Sequence, residues 1–143
     1  MRYLEQLIED LTRGNVTEVK VVLASVVLAL AAYQLLLAAV SYGRLRLPFL
    51  DPHVASWTHR ASGDAIVVLA LAVATMCLAY YGFEDGGAHA VLSCALLGLL
   101  ALKVIAVRLG GRLGKLLPML GVSVAALLAV VWATSAGDFL GVG

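Results

Sequence analysis

The chain has 143 residues, of which 62% are hydrophobic and 13% are charged, and its formal net charge is +1. A soluble domain carries about 25% charged residues, so this composition excludes an ordinary water-soluble fold. The near-neutral balance also leaves no basic surface for a nucleic acid. The mean hydropathy of +0.99 indicates an integral membrane protein.

The first predicted element is a short amphipathic helix over residues 1–14. Its apolar side chains recur at helical spacing and form one stripe: Tyr3, Leu4, Leu7, Ile8 and Leu11. A segment of this kind lies along the membrane interface or packs on a partner. Gly14 ends it, and the run from Asn15 to Glu18 predicts an N-cap with its reciprocal glutamate at the start of the next helix.

Residues 15–143 form the second predicted region, a domain with four transmembrane helices. Four apolar stretches are long enough to cross a hydrocarbon core about 30 Å thick, and they cover residues 19–41, 58–81, 88–107 and 116–134. They are apolar on all sides and show no period-two alternation, as expected of lipid-embedded helices. The predicted fold is therefore all-α, an integral membrane four-helix bundle with an amphipathic N-terminal helix. Gln34 and Tyr33, polar groups in the first span, are expected to bond a neighbouring helix.

Basic residues orient the predicted bundle, because loops rich in lysine and arginine stay in the cytoplasm. Arg2, Arg13 and Lys20 lie on the side that holds both termini, and the middle loop there carries acids without bases. The first and third loops and the adjoining helix ends carry more basic residues: Arg44, Arg46, Arg60, Arg108, Arg112 and Lys115. This asymmetry predicts cytoplasmic first and third loops, with both termini outside the inner (plasma) membrane.

Two charged residues within the second and third spans require a partner. Counting outward from the turn between these spans places Lys103 within one helical turn of Asp64. Each charge alone would cost about 2.5–3.5 kcal/mol at a helix centre, so an ion pair between them is predicted. This ion pair would either hold the two helices together near the lipid headgroups or belong to a polar pocket for a propionate, a proton or a quinone head group.

Two histidines stand at the start of separate spans and on opposite membrane faces. His59 and His89 are separated along the membrane normal by about 30 Å, at about 1.5 Å per helical residue, so one iron cannot bind both within a subunit. Gly63 follows His59 by one turn and would let a flat macrocycle approach the backbone, although plain helix packing also uses such glycines. Met76 and Met119 give each face one methionine, either as core filler or as a second haem ligand.

A family resemblance rests on HRASG, from His59 to Gly63, and on the His, Lys and Arg of GAHAVLSCALLGLLALKVIAVR. Over about residues 19–139 the layout resembles small bacterial four-helix proteins related to transmembrane b-type cytochromes, the cytochrome b561 and ferric-reductase-like superfamily. The resemblance implies haem b near each face, with His59 binding the inner iron and His89 the outer iron. It places Arg60, Lys103 and Arg108 near propionates or an acceptor, and it implies a quinol or another redox partner.

The sequence departs from that family because it offers one well-placed histidine per face where two are used. A homodimer with its axis along the membrane normal would pair each histidine with its twin. Alternatively, Met76 and Met119 complete the two sites, or each iron is five-coordinate. A different function is a cofactor-free structural or assembly subunit of a larger membrane complex. No residue pattern carries hydrolytic chemistry, so no catalytic residue is predicted.

Overall fold

The computed structural model describes residues 2–80, 82, 87–137 and 141, with side chains for all of these except residues 2, 111–113 and 137. Throughout this part of the chain the regular elements are helical, so the predicted all-α fold is confirmed. The five α-helices are α1 (Arg2–Thr12), α2 (Val16–Ser41), α3 (Pro52–Tyr80), α4 (Gly87–Leu109) and α5 (Leu117–Trp132). A 3₁₀ segment, Gly111–Leu116, leads into α5, and a π-helical segment, Ala133–Gly137, follows it.

Four helices are long and apolar enough to cross a membrane, and the protein is a multi-pass membrane protein. These spans are Val16–Ser41, Pro52–Tyr80, Gly87–Leu109 and Gly114–Ala136. The predicted spans lie at the same places, but α3 begins six residues before the predicted 58. Pro52 fits the first helical position because its missing N–H has no helical partner there, and the Asp51 carboxylate accepts the His53 N–H at 2.7 Å. Tyr81, the predicted last residue of that span, lies outside the described residues.

The junction between α1 and α2 is a tight bend. Arg13 and Gly14 both have positive φ, 52° and 81°, and the Gly14 N–H donates to the Glu9 carbonyl at 3.0 Å. This left-handed cap is a common helix ending. The predicted capping box at Asn15 is wrong, because the Asn15 side chain makes no cap hydrogen bond. Its ψ of 48° lies outside the extended region that such caps use.

The four spanning helices surround an apolar core near the middle of the bundle. Helix α2 packs extensively against α3 and also against α5, and α5 packs against α4, whereas α3 and α4 touch slightly. Each spanning helix contributes two buried residues to the core: Val27, Ala31, Ile66, Ala70, Leu96, Leu100, Val124 and Leu128. Lipid is as apolar as these side chains, so close packing and interhelical hydrogen bonds must hold the bundle together.

The two ends of the bundle differ in what they carry. The basic end holds residues 42–51 and 110–116 with the adjoining helix ends. The terminal end holds α1, the start of α4 and the π-helical segment Ala133–Gly137. Ile8 anchors α1 to the terminal end by packing with Val16, Met76 and Ala79. The histidines lie one toward each end, so the fold keeps them apart as predicted.

Candidate functional site

His59 is held near the basic end by a reciprocal pair of hydrogen bonds with Gln34. Its Nδ1 lies 3.2 Å from the Gln34 carbonyl oxygen, and because a carbonyl can only accept, Nδ1 carries the proton. The Gln34 amide Nε2 in turn donates to the His59 carbonyl. His59 is half-buried, and its Nε2 has no hydrogen-bond partner among the described residues. That nitrogen is therefore an available ligand atom.

Gln34 is the most deeply placed polar residue near this end, with 5% of its surface exposed. Besides the His59 carbonyl, its Nε2 meets Ser62 Oγ at 2.9 Å, and Ser62 donates to the Thr58 carbonyl at 2.7 Å. The predicted bond from Gln34 to a neighbouring helix is confirmed. Its other amide atom, Oε1, is buried without a partner in the described structure, which leaves one strong acceptor unused.

Gly63 does not open a space for a flat ligand. A Cβ added there would lie 3.3 Å from Gln34 Nε2, so the side chain of α2 already fills the position one turn beyond His59. The glycine permits close packing of α2 on α3, which is the alternative reading of the H-x-x-x-G spacing. The predicted approach of a macrocycle to the backbone at Gly63 does not fit this arrangement.

The predicted ion pair between Asp64 and Lys103 is wrong, although both residues are described and lie at matching depth. Asp64 follows His59 by five residues, about 140° around a helix with 3.6 residues per turn, and it is exposed on the outer side of α3. Lys103 is half-buried on the inward side of α4, within electrostatic range of His59. Arg60 and Arg108 are exposed, so Lys103 is the cation that lies nearest the bundle interior among the three predicted.

His89 repeats the arrangement of His59 at the terminal end. Its Nδ1 lies 2.9 Å from Thr134 Oγ1, and the Thr134 hydroxyl donates to the Val131 carbonyl at 3.0 Å. Because the Thr134 hydroxyl proton is used in the bond to Val131, the hydroxyl oxygen accepts from His89, and Nδ1 carries the imidazole proton. Ser93 Oγ lies 3.4 Å from Nε2, a long contact that leaves this nitrogen weakly engaged. No sequence pattern pointed to Thr134, because a hydroxyl near a helix end is common.

The methionines do not complete the histidine sites. Met76 is buried in the cluster that anchors α1, and that cluster contains no residue of α4, the helix that carries His89. Met119 is 71% exposed on the outer side of α5. Counting residues along the helices predicted that each methionine lies at the depth of a possible ligand site. Their positions around the helix axes, however, place Met76 in the α1 cluster and Met119 on the exposed side of α5.

The donor set therefore provides one imidazole nitrogen at each end. A ring whose Nδ1–H is held by a fixed acceptor presents Nε2 in a set orientation, as metal-binding histidines do, so each histidine fits as a single axial ligand. Among the described residues no group of three or more histidine, cysteine or acidic side chains could hold a metal ion. Each ring is bonded through Nδ1 to another element of its own subunit, so Nε2 is the nitrogen that each ring can offer to an iron.

A shallow apolar groove runs between α3 and α4, where these helices touch slightly. Its volume is about 310 Å³, and its lining includes Val67 and Leu71 from α3 and Leu100, Ala101 and Val104 from α4. The groove opens sideways toward lipid and contains almost no polar surface, so it suits a hydrocarbon chain.

A model of a family of unknown function, DUF6529, matches residues 7–142, and the chain belongs to this family. No curated protein and no solved structure matches the chain. The family carries no described activity, so the resemblance to transmembrane b-type cytochromes stays a prediction and function must be argued from the residues.

Proposed function

We propose that the protein binds haem b near each end of the bundle and transfers electrons across the membrane. The observation that supports this is the shared geometry of His59 and His89. Both are half-buried near opposite ends, and both donate the Nδ1 proton to a fixed acceptor on another element. A histidine that only fills space does not need the same nitrogen restrained at both ends, whereas an axial ligand does.

In this proposal the helices supply ligands, burial and charge. Haem supplies one-electron chemistry, and the protein positions it and tunes its potential. His59 and His89 each present Nε2, with Gln34 and Thr134 fixing the ring orientations. Lys103 would contribute a half-buried positive charge from α4 to stabilise a propionate. Because the chain offers one histidine at each end, we favour a haem that would be held by that histidine alone over the methionine and homodimer alternatives.

The visible spectrum of detergent-purified protein, oxidised and then reduced with dithionite, tests the proposal directly. Cells fed with a haem precursor should yield coloured protein, with a broad band in the reduced form typical of one axial histidine. His59→Ala and His89→Ala should each remove one of two haems per chain. His53→Ala is the matched control, because His53 is exposed at the start of α3, and it should remove none. A colourless wild-type protein would rule out the haem proposal.

A cofactor-free subunit of a larger membrane complex is the second candidate. The filled space beside Gly63 favours it, because the packing of Gln34 there serves helix association without any ligand. In that case wild-type protein would contain no haem, and the only effect of substituting either histidine would be a lower stability of the bundle.

We also propose that the basic end faces the cytoplasm and that both termini lie outside, in the inner (plasma) membrane. The support is the surplus of arginine and lysine at that end. A C-terminal alkaline phosphatase fusion should be active and a C-terminal green fluorescent protein fusion dark. The reverse pattern would overturn this orientation.

A further inference from the structure

The first loop, residues 42–51, has a shape that its own backbone hydrogen bonds define. The N–H groups of residues 43–45 donate to carbonyl groups in the last turn of α2, at 2.9–3.1 Å. The Leu50 N–H donates to the Leu47 carbonyl at 3.2 Å and closes a turn. Pro48 occupies the second position of this turn, where its fixed φ is favoured. The loop therefore presents its side chains in a defined arrangement.

Two leucines of the loop attach it to the end of the α2–α3 hairpin. Leu47 and Leu50 pack against a buried cluster of Leu37, Val40 and Ala55. Burial of these side chains stabilises the folded-back loop, because their apolar surface is removed from water and headgroups. The loop thus covers the end of the hairpin and leaves its other side chains toward the surroundings.

The remaining side chains of this region indicate that the loop lies among lipid headgroups. Phe49 is 81% exposed, and Tyr42 and Trp57 on either side of the loop are exposed as well. Exposed aromatic side chains are costly in water, and they are enriched at the level of the headgroups of a membrane. Phosphate groups of lipids lie at this level.

A cavity of about 360 Å³ lies between the end of α2, the first loop and the start of α3. Its walls include the apolar side chains of Val40, Leu45, Leu47 and Leu50, and Arg46 is the charged residue that lines it. Ligand sites in proteins have volumes of about 300–1,000 Å³, so the cavity is large enough for a small group. Its lining fits a molecule that carries an anion beside an apolar part.

The charge of Arg46 is available to such a molecule. Its side chain is exposed and makes no hydrogen bond or ion pair with the described residues. Asp51 is the only acid between residues 42 and 57, and its carboxylate accepts the His53 N–H at 2.7 Å at the start of α3. A guanidinium group binds a phosphate through two parallel hydrogen bonds, with a geometry that the ammonium group of lysine lacks.

We propose that this cavity binds an anionic phospholipid. The lipid phosphate pairs with Arg46, and the glycerol part and the first carbons of the acyl chains lie against the apolar walls. A zwitterionic lipid carries the same phosphate, but its own cation competes with the arginine for that charge. Neither histidine of the haem proposal lines the cavity, so the two proposals are independent.

Two lipids that differ in the head group alone give the direct test. Palmitoyl-oleoyl phosphatidylglycerol has a net negative charge, and palmitoyl-oleoyl phosphatidylcholine is zwitterionic. Each lipid is titrated into delipidated protein in a nonionic detergent, and native mass spectrometry counts the lipid molecules bound per chain. We expect one phosphatidylglycerol per chain to bind about fivefold more tightly, the effect of one arginine near an anionic surface. Equal affinities for the two lipids would overturn the proposal.

Substitution of single arginines then locates the site. Arg46→Gln removes the charge from an exposed position, so it should abolish the preference for phosphatidylglycerol without changing the fold. Arg44→Gln is the matched control, because Arg44 is also exposed and does not line the cavity. Arg108→Gln makes the same change on α4, and both controls should retain the preference. Equal losses in all three variants would show a diffuse attraction to the basic end and contradict a site in the cavity.

Two further measurements test the apolar part of the site. Leu45→Ser should weaken phosphatidylglycerol binding about fourfold, the effect of roughly one buried methylene group. Leu109→Ser changes an exposed leucine at the same end that does not line the cavity, so it should have no effect. Glycerol 3-phosphate has the anion without acyl chains, and a large excess should not displace the lipid. Displacement by glycerol 3-phosphate would identify a site for free phosphate esters and overturn the assignment to a lipid.

Discussion

Gln34 and His59 form a reciprocal pair of hydrogen bonds, in which the side chain of each residue donates to the backbone carbonyl of the other. The imidazole of His59 donates to the backbone of α2, and the amide of Gln34 donates to the backbone of α3. Each side chain thus reaches across to the other helix and bonds its main chain. These reciprocal bonds fix both the distance and the rotation of α2 relative to α3, the pair of helices that packs most extensively.

Gln34→Leu should loosen the packing of α2 on α3. The variant loses the donor to His59 and Ser62 while keeping a side chain of similar size. Interhelical hydrogen bonds in membranes contribute about 0.6 kcal/mol on average and up to about 1.7 kcal/mol, so we expect the free energy of unfolding to fall by about 1 kcal/mol. Titration with SDS measures this, and Tyr33→Phe at an exposed neighbouring position should change nothing. A stability equal to wild type would show that these bonds contribute no net stability to the bundle.

Gly63→Ala tests the closeness of the same contact. The added methyl group would meet Gln34 Nε2 at 3.3 Å, and the amide can retreat only by giving up its bond to the His59 carbonyl. We expect a loss of about 1–3 kcal/mol, the range for an overpacked interior. Gly98→Ala adds the same methyl group where no atom lies within 4 Å, so it should be neutral. Equal effects of the two substitutions would argue against close packing at Gly63.

Trp132 and Ser25 join the end of α5 to the first half of α2, with the indole Nε1 donating to the hydroxyl at 2.9 Å. Trp132→Phe and Ser25→Ala should each lower stability, and the double variant should lose less than the sum because both remove one bond. A double-mutant cycle should give a coupling energy of about 0.5–1.5 kcal/mol. A coupling near zero would mean that the two residues stabilise the bundle independently.

Ile8 is the side chain that anchors α1 to the bundle, whereas Leu11 is 75% exposed. Ile8→Ala removes buried contacts with Val16, Met76 and Ala79 and should free α1. Hydrogen exchange of residues 2–12 should then accelerate about tenfold, the equivalent of about 1.4 kcal/mol. Leu11→Ala should leave the rate in detergent nearly unchanged. Similar rates for both variants would show that lipid contact, and not the bundle, orders α1.

Sequence patterns predicted the number, type and approximate ends of the spanning helices, because a long apolar run in a membrane has essentially one stable conformation. Counting at a constant rise per residue put Asp64 and Lys103 near one level, which agrees with the shared core cluster of Ile66 and Leu100. Rotation about each helix axis was harder to predict. Asp64 and Met76 lie at the expected levels and yet face away from Lys103 and His89, because a uniformly apolar helix carries little amphipathic signal to orient it.

Single polar residues predicted the rotation of a helix about its axis better than the apolar pattern did. Gln34 stands alone in an apolar span, and it does bond a neighbouring helix, as predicted. The role of Gly63 was not predicted, because a glycine in a membrane helix does not indicate what lies beside it. In the structure Gly63 packs against the side chain of Gln34.

The side-chain hydrogen bonds also imply an order of assembly during synthesis. Gln34 and His59 belong to one helical hairpin, α2 with α3, so their bonds can form before α4 has been made. His89 and Thr134 likewise belong to a second hairpin, α4 with α5. The bond from Trp132 to Ser25 spans 107 residues and joins the two hairpins. A chain arrested after α3 should therefore already contain a closed hairpin, and the second hairpin should dock on it once α5 has emerged.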